Sequence, residues 1–381
     1  MTDDGEIRVL MDGPDTPRAP GGRAWRRRGA ALAAVLMLGL LAVVGVAIRD
    51  RGNRQAATPE PSAVAPTGAA SSAPALAERR TELPPRLDPD ATTTKPLSGN
   101  PIQRARLLLQ RYAGLNREQP VYALAEDNAW RRIDVARILP VTDRDGNPQP
   151  ALDVGSLSAD GRRAAFAQRD EVLIVDLASA GVRRVPVPGF NENVLWLGDR
   201  VVVHQENRTY LIAADGQPVE VPGPGRDVVV TETGTGAGMT RLSIDAEHRP
   251  VLRPSTAAGP GADRRVDGVG NLVTWESPGW QRGSVIARAA LVATGTVERP
   301  TAPPTYRLVL VDTASATAHF APDAGTVPLD GAQLLGWYDA NTLLLCVEMR
   351  RVVVYDLTTG EPAQVTTIIG ERAWLSVADR H

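Results

Sequence analysis

The chain has 381 residues, room for two or three domains or for one large all-β unit with appendages. Its 42 basic and 44 acidic residues leave a formal net charge of −2, which excludes the basic footprint of a nucleic-acid-binding protein. Aromatic residues make up only 4% and cysteine occurs once, so the core has to come from Val, Leu, Ile and Ala, and no intrachain disulfide can form.

The basic residues are arginines except Lys95, a bias we read as codon usage in a GC-rich bacterium. Residues 1–28 are polar and rich in Asp, Gly, Pro and Arg, the composition of a disordered tail. The run Gly29–Ile48 then carries 20 residues without a charge. As a helix it spans roughly 30 Å, the thickness of a bilayer's hydrocarbon core. It is longer than a signal-peptide apolar region and ends directly in Arg49-Asp50-Arg51, which argues for an uncleaved single-pass anchor. Five arginines lie in the eleven residues before it, Arg18, Arg23 and the cluster Arg26-Arg27-Arg28, and three follow within six residues, which places the N-terminus in the cytoplasm and the rest outside the cell membrane.

Residues 49–98 are dominated by Ala, Pro, Ser and Thr with no periodic apolar face, and read as a disordered Pro/Ala-rich linker. As a coil it reaches about 40 Å. The folded domain, residues 99–381, is expected to open with a short helix over 101–113. Asn100 can cap it, Pro101 suits its first position, Ile102, Ala105, Leu108, Leu109 and Tyr112 share one face, and Gly114 can end it.

From Gln119 onward the pattern is short Val/Leu/Ile runs bounded by Asp, Gly, Asn and Pro. One unit recurs. Its plainest copy is Leu157-Ser158-Ala159-Asp160-Gly161-Arg162, a strand over 164–167, then Glu171-Val172-Leu173-Ile174-Val175-Asp176-Leu177 and an edge strand over 182–188. Third strands are expected around 131–135, 172–177, 210–213, 241–245, 308–313 and 352–357. Positions 134, 176, 213, 245, 312 and 356 step by 42, 37, 32, 67 and 44 residues, mostly one four-stranded blade per repeat. The long step holds 278–304, read as an inserted loop or hairpin, and residues 225–270 show no clear first strand. The unit resembles the WD40-like repeats of periplasmic TolB-type β-propellers, although no Trp-Asp dipeptide occurs. The resemblance implies an all-β propeller, with about six four-stranded blades favoured. A single blade cannot bury both faces, so blades have to stack around an axis. Ala373-Trp374-Leu375-Ser376-Val377 follows a complete final blade and is expected to supply the first strand of the opening one.

The chemistry-bearing residues are sparse. No Gly-x-Ser-x-Gly elbow is present, and His204, His248, His319 and His381 form no metal-binding spacing, so no catalytic residue, metal or cofactor is expected. Asp143-Arg144-Asp145-Gly146-Asn147 reads as a turn, not a calcium loop, and Gly234-Thr235-Gly236-Ala237-Gly238 as a hairpin connection, not a phosphate loop. Cys346, inside Leu343-Leu344-Leu345-Cys346-Val347, reads as a core residue. Trp196, Trp275, Trp337 and Trp374 sit in apolar runs and read as core or blade-interface residues. Trp280 and Arg282, flanked by Pro278, Gly279 and Gly283, read as an exposed loop pair suited to partner contact. The expected function is therefore a non-catalytic, membrane-anchored, extracytoplasmic propeller of the cell envelope that binds an envelope protein or polymer. The alternative is an enzyme or small-ligand sensor with a site in the central channel.

Overall fold

The computed structural model describes residues 76–378 except 91, 115–116, 144, 207, 214–215, 222–226, 232–238, 257–258 and 324–330. The tail, the apolar run 29–48, the linker up to residue 75 and the Gly-rich 234–238 lie outside the described residues. Among the described residues no helix is long and apolar enough to cross a membrane.

The apolar runs form strands because both of their faces find something to bury against. All six residues of Thr342–Val347 are buried. Leu343, Leu345 and Val347 pack toward one neighbouring sheet, and Leu344 and Cys346 toward the other. Strand Arg351–Asp356 alternates the same way: Val353 and Tyr355 go to the first interface, Val352 and Val354 to the second. Side chains two residues apart share a face, so an uninterrupted apolar strand suits a sheet sandwiched between two others.

Repeating this rule gives six blades. Blade 1 runs Ala373–Val377, Ala105–Arg111, Val121–Ala125 and Trp130–Arg132. In blade 2, Leu157 bridges Ala164 ahead of Arg163–Gln168, Glu171–Asp176 and Gly181–Pro186. Blade 3 is Asn193–Leu197, Arg200–Gln205, Arg208–Ile212 and Pro218–Val221. In blade 4, Val228 bridges Arg241 of Met239–Ile244, which pairs with Pro250–Thr256 and, beyond it, Gly259–Pro260 and Arg264–Arg265. Blade 5 is Gly279–Arg282, Val285–Gly295, Pro300–Asp312 and Thr317–Phe320. Blade 6 is Gln333–Trp337, Thr342–Val347, Arg351–Asp356 and Pro362–Ile368. Six apolar clusters lie between successive blades, from Leu108 against Phe166 at the first interface to Leu109 against Leu344 at the last, so the ring is closed.

The aspartates that end the third strands have a local task. Asp176 Oδ1 accepts the N–H groups of Ala178 and Ser179, and Asp356 Oδ1 those of Thr358 and Thr359. Asp312 does the same for Ala314 and Ser315, and these backbone donors hold its carboxyl below the usual range. The turn at 143–147 is closed by Asp143 Oδ1 accepting the Asn147 N–H at 2.7 Å.

Three expectations are corrected. Residues 101–113 do not form a helix: Ala105–Arg111 is the second strand of blade 1. Leu108 packs toward blade 2 while Leu107 and Leu109 pack toward blade 6, and only an extended chain reaches both. Tyr112, placed on the expected buried helical face, is 36% exposed. Residues 278–304 are not an insertion but the first two strands of blade 5 and the start of the third. Within the segment assigned to the linker, residues 76–90 and 92–98 form a strap along the outer edges of blades 6 and 1. Ala77–Glu78 and Arg86–Leu87 pair in parallel with Pro362–Ile368, and Lys95–Pro96 with Trp130–Arg132. Leu83 and Leu87 are buried between blades 6 and 1, and Leu97 between blades 1 and 2.

Candidate functional site

The innermost strands of the blades converge on the axis, and between them they leave a cavity of about 380 Å³. That size falls in the range of small-molecule sites, about 300–1,000 Å³. Five blades line it: Trp374 from blade 1, the 149–154 segment leading into blade 2, Asn193, Leu195, Val202 and His204 from blade 3, 275–278 with Arg288 and Tyr306 from blade 5, and 331–334 from blade 6. Leu152, Val154, Leu195, Val202 and Leu334 supply apolar wall. The polar groups stand at defined places among them.

Asp153 lies where blade 2 begins. Its Oδ2 accepts from Asn193 Nδ2 at 2.6 Å and its Oδ1 from the Val154 N–H at 2.7 Å. Burial nevertheless lifts its carboxyl above the ordinary value of 3.8, because desolvation outweighs these donors. His204 is directly opposite Asn193 across the strand pair and only 8% exposed. Its Nε2 lies 3.3 Å from Glu192 Oε2, and its Nδ1 is buried without a hydrogen-bond partner.

Blade 5 contributes a buried cation. Arg288 is 1% exposed; its Nε donates to the Ser277 carbonyl at 2.8 Å and its Nη1 to the Leu242 carbonyl of blade 4. Its guanidinium carbon stands 4.7 Å from the Trp275 ring centroid, a cation–π contact that fixes the indole. The Trp275 Nε1 is buried without a partner, as is Gln333 Oε1 of blade 6. Tyr306 spends its hydroxyl on the Ala332 carbonyl at 2.6 Å, joining blades 5 and 6 at the wall. Three side chains on the lining, Trp275, Gln333 and His204, thus each carry one polar atom that is buried and has no protein partner. The nitrogen of His204 that would take a nucleophile's proton has no hydroxyl or thiol bonded to it.

Trp280 and Arg282 lie elsewhere. They belong to strand Gly279–Arg282, where Trp280 pairs with Val230 and Ala287, so the expected exposed loop is an inner blade strand. The Trp280 ring is half-buried in the cluster between blades 5 and 6, its carbonyl accepts from Trp337 Nε1 at 2.9 Å, and Arg282 is half-buried at the strand end. Neither lines the cavity. The cavity residues escaped sequence reading because they come from positions 149 to 374 and share no motif. A polar residue interrupting an apolar strand, as His204 follows Val201-Val202-Val203, was the one available signal.

No protein-family model and no curated protein sequence matches the chain. Among solved structures it is similar to BamB from Moraxella catarrhalis, at 11% identity over 67% of this chain and 76% of that one, with a TM-score of 0.37. It is similar to a chain of a nidogen/laminin complex at 12% identity, over 72% and 99%, with a TM-score of 0.43. An oligogalacturonate lyase in complex with manganese gives 11% identity, 65% and 71%, and 0.41. At these values none of the likenesses bears on function.

Proposed function

We propose that the chain is a non-catalytic binding propeller of a bacterial cell envelope, anchored by residues 29–48 with its C-terminal domain extracytoplasmic, and that it holds part of an envelope protein or polymer in the axial cavity. The observation that carries this reading is the cavity itself: five blades converge on a space of about 380 Å³ lined by polar residues such as Gln149, Asn193 and His204 among apolar ones. The uncharged 20-residue run and its arginine flanks support the anchor, and the likeness to TolB-type repeats supports the envelope setting. The cavity's size also supports the second reading, a sensor of a free small molecule. Trp280 and Arg282 remain a proposed partner contact, through whatever part of their surface stays exposed.

Site-specific photocrosslinking in cells tests the cavity. A benzophenone amino acid at Gln149, on the lining, is expected to capture a defined species that the same label at Val219, 61% exposed on the outer edge of blade 3, does not. Equal capture at both positions sinks the axial reading.

A further inference from the structure

We propose that a groove across blade 1 leads from the axial cavity toward the outer edge of the ring and holds an extended peptide segment of the partner, one that bears a carboxylate. This rests on the axial cavity being the recognition site and goes further in naming the partner as a protein and the path it takes.

The path follows from the strand register. Trp374 of the innermost strand is opposite Gln110 of the second, and Gln110 is opposite Val121 of the third. The Val121 carbonyl in turn accepts the N–H of Ile133, just beyond the fourth strand, at 2.9 Å. These four residues form one row that crosses the blade at right angles to its strands. The depressions in the surface keep to that row. Trp374 and Pro150 of the axial cavity also line a second, shallow depression that includes Gln110. Gln119 of the second also lines a third, together with Val121 and Ile133. The connection from blade 1 to blade 2 forms the other bank, through Pro150, Pro140 and Ile138. Three inter-strand spacings amount to roughly 14 Å, which about four or five residues of extended chain cover.

Composition and charge decide what lies there. Tyr112 is 36% exposed, and its ring meets the half-buried Trp374 edge-on with centroids 6.4 Å apart. Exposed Tyr and Trp beside arginine are typical anchors for a protein partner. Of the arginines along the groove, Arg111 is paired with Asp88 at 3.0 Å and Arg137 with Glu118 at 2.7 Å. Arg117 is exposed on the second depression and has no ion-pair partner among the described residues. The middle of the groove thus carries one uncompensated positive charge between apolar surfaces. A peptide can set a single carboxylate there and apolar side chains on either side of it. A neutral polysaccharide brings no anion. An acidic one repeats its charge at every unit and meets the Glu118 and Asp134 carboxylates farther out.

Random peptides displayed on phage are selected on the full chain in detergent, and an enriched peptide is synthesised with a fluorophore. Its binding is measured by anisotropy to the parent, to Arg117→Glu and to Gln149→Trp, which narrows the axial cavity; alginate is the competing polymer probe. Enriched peptides are expected to carry an Asp or Glu within about five residues of an apolar anchor. Each substitution is expected to weaken binding about fivefold or more, and a peptide with lysine in place of its acid is expected to regain binding to the Arg117→Glu chain. That reciprocal gain is a readout that a misfolded variant cannot give. Weakening by Gln149→Trp alone overturns the groove and leaves the axial cavity as the site. Weakening by Arg117→Glu alone overturns the axial reading and, with it, the path that starts there. Alginate binding that depends on Arg117, with no peptide enriched, overturns the protein assignment. No binding of either probe overturns both readings.

Discussion

Ser376, on the C-terminal strand, accepts a hydrogen bond at 2.9 Å from the backbone N–H of Leu157, 219 positions earlier in the chain. The same Oγ donates to the Val154 carbonyl at 2.8 Å. One fully buried hydroxyl therefore ties the strand that completes blade 1 to the start of blade 2. Ser376→Ala leaves the Leu157 N–H and the Val154 carbonyl without this partner, at about 1–3 kcal/mol for each orphaned group. Urea unfolding of the variant is expected to show a lower midpoint at an unchanged slope. An unchanged midpoint would mean that closure does not run through this contact.

The strap offers a second clasp over the same part of the ring. Leu87 is fully buried between blades 6 and 1, and beside it Arg111 forms a 3.0 Å ion pair with Asp88. Leu87→Ala is expected to cost about 2–5 kcal/mol, the range for emptying a packed site. A residue in an unstructured linker would cost nothing, so thermal unfolding of this single variant decides between strap and linker.

Gly161 sits at φ +69° in the Asp-Gly turn of blade 2, and a Cβ there would stand 2.3 Å from the Ala105 carbonyl oxygen. The close approach is itself functional in the fold, since the Ala105 N–H donates to the Gly161 carbonyl at 2.7 Å and joins blade 2 to blade 1. Gly161→Ala is expected to destabilise by more than the ~1–3 kcal/mol of the left-handed conformation alone, because backbone has to move as well. A loss below that range in chemical denaturation would show that the two blades separate easily here.

The turn around Gly161 was readable before the fold was known, but the strand it leans on was not. Propeller strands are apolar on both faces, so runs such as Leu107-Leu108-Leu109 carry no period-two signature, and a helical face can be drawn through them. The same ambiguity displaced the repeat. The observed third strands begin at 121, 171, 208, 250, 300 and 351, steps of 50, 37, 42, 50 and 51 residues, much more even than the sequence spacing suggested. Blade 4 had been read from its second strand and blade 1 from its fourth. The strand-ending aspartates were legible because turn chemistry is local. The cavity was not, because Asp153, His204, Trp275 and Gln333 are brought together only when the ring closes.

Trp280 shows the cost of reading exposure from flanking residues. Its ring covers Gly336, where an added methyl would sit 3.5 Å from Cε3. Trp280→Ala is expected to lower stability, toward the lower end of the ~3–5 kcal/mol typical of such truncations because the ring is only half-buried. Any partner-binding defect of this variant has to be measured below its shifted melting temperature. A variant as stable as the parent would mean that the ring contributes no packing between blades 5 and 6.

Asp153 gives the fold a pH dependence of definite sign. Burial raises its carboxyl above 3.8 in the folded state, while the unfolded chain returns it to its ordinary value. Below 3.8 both states hold the proton and the group contributes nothing against folding. As pH rises from there through the raised folded value, the unfolded chain ionises first, so stability falls across that window and stays reduced above it. Asp153→Asn removes the ionisation while keeping an oxygen for the Val154 N–H or the Asn193 amide. The melting-temperature difference between variant and parent is therefore expected to move in the variant's favour as pH is raised from 4 to 7. A difference that does not change over that range, or that moves the other way, would mean that the carboxylate is better solvated or better paired in the folded state than its place in the cavity implies.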